Sequence, residues 1–102
     1  MSWRVVVRPE VWDDVDEATR WYDARADGLG NEFVEEVIRV LDALADNPLL
    51  NSRRHPRKNI RWRYPERFPY RVIFEVSEDD GVVIVGAVLH AARHDRHWQG
   101  RF

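Results

Sequence analysis

The sequence predicts an α+β domain in which a helical hairpin packs on one face of a mostly antiparallel four-stranded sheet, in the order β-α-α-β-β-β. Two observations carry this prediction. Apolar residues recur at helical spacing in the first half of the chain, and short alternating or continuous apolar runs fill the second half. The 102 residues suit a single domain, 1–102, which would bury about two-thirds of its unfolded surface.

The first 30 residues predict a strand and then a helix. The segment 3–8 is short and rich in valine, and Pro9 is expected to end it as a strand. Apolar residues then recur at steps of four, three and four, which is typical of an amphipathic helix. These positions are Val11, Val15, Ala18 and Tyr22. Gly28 and Gly30 are expected to end the helix, because glycine accepts the left-handed conformation of a helix C-cap.

A second helix is predicted by an apolar stripe that ends at Asn47-Pro48. The stripe consists of Phe33, Val37, Val40, Leu41 and Leu44. Because the loop between the two helices is short, they are expected to form an antiparallel hairpin. The apolar faces of this hairpin then need the strands as their packing partner.

A charged strand is predicted after a connection at residues 49–56. From Arg57 onwards basic and polar residues alternate with apolar ones, as on a half-buried strand that presents its cations to solvent. The polar positions are Arg57, Asn59, Arg61 and Arg63, and the apolar ones are Ile60, Trp62 and Tyr64.

Two further strands are predicted on either side of the Asp80-Gly81 turn. Residues 70–76 alternate, so that Arg71 lies on the face opposite Tyr70. Residues 82–89 are almost wholly apolar, which predicts a central strand covered on both faces. The pattern of residues 91–102 suits either a short helix or an extended tail.

Composition and charge narrow the function classes. The absence of cysteine excludes disulfides, thiolate metal sites and cysteine nucleophiles. No apolar run is long enough to span a bilayer and no signal peptide is recognisable, so we expect a cytoplasmic protein without membrane contact. Residues 1–47 carry 5 basic and 12 acidic side chains, whereas residues 48–102 carry 11 basic and 6 acidic ones. This division suits a basic face for an anionic partner, or two halves that attract each other.

Arginine and histidine residues at the strand borders form the candidate site. Arginine binds phosphate bidentately but has too high a pKa for proton transfer, whereas histidine is the natural acid or base near neutral pH. The candidates for metal-independent RNA cleavage are Arg61, Arg71, His90 and Arg93. Further binding candidates are Arg57, Arg63, His94, His97, Trp98 and Arg101. Arg61, Arg63, Arg71 and Arg93 are expected to converge on one concave patch.

Each candidate also has a structural interpretation. A row of arginines on a strand is often a solvated face, His90 can be a hydrogen-bonded strand end, and Trp98 can pack the tail onto the domain. The three histidines of residues 90–97 have helical spacing but no carboxylate partner, so neither a metal nor a cofactor is predicted. No nucleophile triad and no glycine-rich phosphate loop is recognisable.

Several segments together resemble the RelE/ParE superfamily of type II toxins. They are Ala18 with Trp21-Tyr22, Gly28-Leu29-Gly30 with the following helix up to Asn47-Pro48, Phe68-Pro69-Tyr70-Arg71, and the spacing H-x-x-R-x(4)-W-x-x-R at His90, Arg93, Trp98 and Arg101. The last two segments are closer to ParE-like sequences. Family members often have proline two residues after the arginine of the last segment, where this chain has Asp95.

The resemblance implies a toxin that a cognate antitoxin neutralises within a hetero-oligomeric complex. ParE-like members inhibit DNA gyrase, whereas RelE-like members cleave mRNA in the ribosomal A site. We therefore expect a ParE-like growth inhibitor that acts on gyrase or another replication or translation target. A RelE-like, metal-independent mRNA endonuclease and a non-catalytic binding module are the alternatives.

Overall fold

The computed structural model describes residues 3–56 and 58–102, and in these ranges it contains five strands and three helices. The strands are β1 (Arg4–Val7), β2 (Arg53–Arg54), β3 (Ile60–Arg63), β4 (Tyr70–Ser77) and β5 (Val82–His90). The helices are α1 (Pro9–Asp23), α2 (Leu29–Asp46) and α3 (Arg96–Gln99). The α+β class and the helical hairpin are thus confirmed, and the tail contains a short helix.

The strands form one sheet in the order β1-β5-β4-β3-β2. Strand β1 runs parallel to β5 and the other neighbours are antiparallel, so the apolar β5 is central as predicted. The expectation of four strands was wrong by one, because Arg53 and Arg54 pair with β3 inside the predicted connection. Two adjacent arginines carry no strand pattern. The strand predicted from Arg57 begins at Ile60, and Arg57 itself lies outside the described residues.

The two long helices follow their apolar stripes. Helix α1 has Pro9 in its first turn, where a backbone N–H has no partner within the helix, so the N–H that proline lacks is not needed. The helix buries positions 11, 15, 18 and 22, as predicted. Gly28 precedes α2 with a φ of 82°. The expectation that Gly30 ends α1 was wrong, since this residue lies inside α2. Its N–H donates to Asp23 Oδ1 over 2.8 Å, and a Cβ there would come within 2.7 Å of the Thr19 carbonyl oxygen.

One face of the sheet is covered by the helices and part of the other face by the tail. The helix-side face packs against α1 and α2 through Val72, Phe74, Val76, Val83, Val85 and Val88. The outer face forms a second, smaller core from Ile60, Ile73, Ala87 and Leu89, over which Trp98 of the tail packs with no exposed surface. The tail therefore buries the apolar residues of this part of the outer face, which would otherwise be exposed to solvent.

A β-bulge at Gly86 lets the tail approach β5. Ile73 pairs with Ala87, but the next residue of β4, Phe74, pairs with Val85, so Gly86 is the extra residue. The ring of Phe102 lies against this glycine, and a Cβ would come within 2.8 Å of its Cε atoms. The missing side chain of Gly86 therefore leaves room for the aromatic ring.

Replacing Gly86 by alanine is expected to lower the free energy of unfolding by about 1 kcal/mol, the low end of the usual overpacking cost. The new methyl group displaces the Phe102 ring, which is 37% exposed and can move outward. The matched control is Gly100→Ala, since Gly100 has a φ of −75° and open space around it. The control is expected to change stability by less than about 1 kcal/mol. Urea unfolding followed by circular dichroism measures both, and equal midpoints for the two variants would contradict the packing described for Phe102.

Candidate functional site

A groove lies between α1 and the part of β5 that extends past β1. Strand β1 pairs with β5 only as far as Val85, whereas β5 continues to His90. The resulting α1–β5 groove has a volume of about 390 Å³. It is lined by Asp14, Glu17, Ala18, Trp21, Tyr22, Pro69, Tyr70, Val88, Leu89, His90 and Arg93. The groove thus combines an aromatic floor with charged groups of both signs.

Asp14 lies at one end of the α1–β5 groove. Its carboxylate accepts a backbone hydrogen bond from the part of β5 that does not pair with β1. Its Oδ2 accepts a hydrogen bond from the Val88 backbone N–H over 3.0 Å. Both of its oxygens also accept from the Arg101 guanidinium, over 2.5 and 3.2 Å, and Arg101 donates in addition to the Gly86 carbonyl over 3.2 Å. The hydrogen bond to Asp14 raises the pKa of Arg101 further above its usual value. Arg101, which was predicted to bind a ligand, thus makes structural contacts to Asp14 and Gly86.

The mouth of the α1–β5 groove carries an exposed tryptophan and an ion pair. Trp21 is 48% exposed, and the Arg25 guanidinium lies 3.2 Å from the centre of its ring, where the cation interacts with the π-electrons. Arg93 lies 3.3 Å from Glu17 across the mouth. His90 Nδ1 accepts a hydrogen bond from the Ala92 N–H over 3.0 Å, which agrees with its structural interpretation.

Arg71 lies on the outer face of the sheet and is only 6% exposed. Its guanidinium donates to Asp95 Oδ1 over 3.1 Å and to the Arg93 carbonyl over 3.0 Å. Trp98 Nε1 donates to the same Asp95 oxygen over 3.2 Å. Burial would raise the pKa of Asp95, but the hydrogen bonds from Arg71 and Trp98 outweigh burial and lower it. The Arg71 charge is thus neutralised beneath the tail.

The predicted convergence of four arginines on one patch was wrong. Arg61 is paired with Phe74 and Arg63 with Val72, so both lie on the helix-side face. Arg71 points to the outer face. The alternation predicted for β3 is confirmed, but both of its arginines are half-buried, and Arg61 donates to Ser52 Oγ over 3.2 Å.

The remaining candidates lie in the tail, in or next to α3. Trp98 is fully buried and packs the tail onto the domain, which agrees with its structural interpretation. His94 and His97 are exposed, and His94 Nδ1 accepts from the Arg96 N–H over 3.1 Å. Within residues 3–56 and 58–102, no group of three or more His, Cys, Asp or Glu side chains could hold a metal ion. The same part of the chain has no helix that is both long and apolar enough to cross a membrane.

Sequence reasoning missed the acidic and aromatic side of the groove. The sequence assigned no role in a site to Asp14 or Glu17, and it predicted Trp21 to be a core residue together with Tyr22 and Phe33. Trp21 is instead 48% exposed. The one signal that pointed to Asp14 was its place one residue before Val15, which sets it at the border of the buried stripe. A carboxylate at such a border can reach the backbone of a neighbouring element.

Comparisons with known proteins agree with this fold. Residues 5–95 match the family described as the ParE toxin of type II toxin-antitoxin system, parDE. A solved structure of the chromosomal ParDE system from P. aeruginosa superimposes with a TM-score of 0.75 at 13% identity, over 87% of this chain and 96% of that one. The RelBE2 toxin-antitoxin complex from Mycobacterium tuberculosis gives 0.65 at 15% identity, over 88% and 99%. No curated protein matches the chain.

Replacing Asp95 by asparagine is expected to lower stability at neutral pH by about 1–2 kcal/mol, a value discounted because the side chain is 37% exposed. The pKa of Asp95 is lower in the folded state than the unfolded value of about 3.9, so its contribution is present above that pH. The contribution is lost as the pH falls through the folded pKa.

The measurement is urea unfolding of wild type and Asp95→Asn between about pH 7 and pH 2.5. The difference in the free energy of unfolding between the two proteins is expected to shrink below about pH 4. Asp16→Asn is the control, since Asp16 forms an exposed ion pair with Arg20 on one helix. A pH-independent difference for Asp95→Asn would show that the carboxylate charge does not stabilise Arg71.

Proposed function

The chain belongs to the ParE toxin family of type II toxin-antitoxin systems, and from this we propose that a cognate antitoxin holds it inactive and that its target is DNA gyrase. Inhibition is proposed to occur by binding and not by RNA cleavage. The observation that carries this choice is the buried Arg71–Asp95 ion pair, which removes the central cation of a possible nuclease site. The family match supports gyrase over the ribosome.

A metal-independent ribonuclease needs cations and a proton-transfer group that face one phosphate. Here Arg71 is buried and donates to Asp95, and Arg93 pairs with Glu17 at the groove mouth. Arg61 lies on the opposite face of the sheet from Arg71. These positions disfavour the RelE-like alternative, because no phosphate could contact the three arginines together.

The α1–β5 groove supports the antitoxin half of the proposal. Trp21 offers a large exposed aromatic surface, held in place by Arg25. Among the described residues, β5 has no neighbouring strand on the α1 side past Val85. Asp14 and Arg101 already bond the Val88 N–H and the Gly86 carbonyl there, so a partner segment would bind mainly through its side chains. Apolar grooves commonly bind the apolar face of a partner segment in this way. We infer that the antitoxin places an apolar side chain against Trp21.

Expression of the chain without its antitoxin is expected to stop growth, induce the DNA-damage response and leave transcripts intact, because gyrase and not mRNA is the target. Purified protein should inhibit supercoiling by gyrase. The variant His90→Asn keeps an acceptor for the Ala92 N–H and should inhibit equally, since no proton transfer is needed. Codon-linked mRNA cleavage that disappears in His90→Asn would instead establish the nuclease alternative.

Trp21→Ala is expected to weaken antitoxin binding at least about tenfold, as the loss of a central aromatic contact typically costs 2 kcal/mol or more. The matched control is Trp12→Ala, because Trp12 is similarly exposed at 52% but does not line the groove. Titration calorimetry with the purified cognate antitoxin measures both affinities. Equal losses in the two variants would exclude the groove as the docking site.

A further inference from the structure

The edge of the sheet formed by β2 and β3 carries a cluster of cations without acidic partners. This basic edge consists of Arg53, Arg54, Lys58, Arg61 and Arg63. Among the described residues, no ion pair joins any of the five to a carboxylate. Six arginines elsewhere do form such pairs, namely Arg8, Arg20, Arg67, Arg71, Arg93 and Arg101. The chain thus neutralises many of its cations but leaves this cluster charged.

The register of β2 and β3 sets two like charges directly opposite each other. Arg54 is paired with Arg61 across the antiparallel ladder, an arrangement that destabilises a sheet. The Nε of Arg61 is moreover buried and has no hydrogen-bond partner within the described residues. Glu78 and Asp79 line the same hollow, yet neither forms an ion pair with Arg54 or Arg61. An external anion would relieve this repulsion.

The charges of the rest of the molecule favour approach of a polyanion at this edge. Helices α1 and α2 carry eleven acidic and two basic residues, so their surface repels phosphate. The basic edge lies at the end of the sheet farthest from β1. Arg53 shares the outer face with Trp62, whereas Arg54 and Arg61 share the helix-side face. Cations therefore project from both sides of a two-stranded ribbon.

We propose that the basic edge binds the phosphate backbone of duplex DNA independently of sequence. Arginine forks on both sides of the ribbon suit bidentate contacts to successive phosphates. Single-stranded nucleic acid is the poorer fit, because its binding needs a row of exposed aromatic rings for base stacking. Here only Tyr64 is well exposed, and the Nε1 of Trp62 is buried. The role of this contact rests on the proposed gyrase target. Binding to the duplex would hold the toxin on the DNA to which gyrase is bound.

Fluorescence anisotropy with a duplex of about 30 base pairs tests the proposal, measured from about 50 to 200 mM salt. The logarithm of the binding constant should fall linearly with the logarithm of salt concentration. In Arg53→Ala/Arg54→Ala the slope should decrease by about two and affinity at low salt should fall at least about fivefold. The control is Arg4→Ala/Arg20→Ala, which removes the same charge from β1 and α1 and should lose less than about twofold.

Three outcomes would overturn the proposal. They are the absence of duplex binding by the wild-type protein at low salt, equal losses in the two double variants, and clearly tighter binding of a single-stranded DNA or RNA of the same length. Circular dichroism verifies that both variants fold, and both exposed arginines of β2 lie outside the cores. Gyrase supercoiling is assayed separately, so failure of DNA binding by the toxin alone is distinct from failure of the gyrase proposal.

Discussion

The arrangement of this molecule depends on one buried carboxylate, that of Asp14. Strand β1 stops pairing with β5 at Val85, and Asp14 supplies the acceptor that the Val88 N–H would otherwise lack. The Asp14 side chain is only 8% exposed, so its charge must be compensated, because an unpaired buried charge costs several kcal/mol. Arg101 provides that compensation from the end of the chain. A single side chain thus joins α1, β5 and the tail.

Fixing the tail in this way determines which cations remain available. With Arg101 held at Asp14, Phe102 packs on the Gly86 bulge and Trp98 covers the outer face. Asp95 then lies within hydrogen-bond distance of Arg71 and neutralises it. Arg71 and Arg101, which sequence patterns associate with phosphate binding, therefore make structural contacts. At the other side of the sheet, none of the described ion pairs joins the tail to the basic edge.

Periodicity was enough to predict most of the fold but little of the site. The stripes of α1 and α2 and the alternation of residues 70–76 each depend on local spacing, and all three are confirmed. Arg71 was correctly assigned to the face opposite Tyr70. Whether that face is solvated depends on residues 91–102, whose pattern was ambiguous, and burial of Arg71 could therefore not be predicted. Strand β2 exists only through its pairing with β3, which no local pattern of two arginines reveals.

The helices cover one face of the sheet and the tail covers part of the other, and both proposed binding sites lie at sheet edges. The α1–β5 groove and the basic edge lie on different sides of the sheet order, with β4 between β5 and the β3–β2 pair. The distance from β5 to β2 is three strand spacings, or about 14 Å. A single extended segment in the groove would therefore leave the basic edge open. If both proposals hold, a groove-bound antitoxin blocks the contact with gyrase, whereas the contact with DNA must be blocked by a part of the antitoxin that extends beyond the groove.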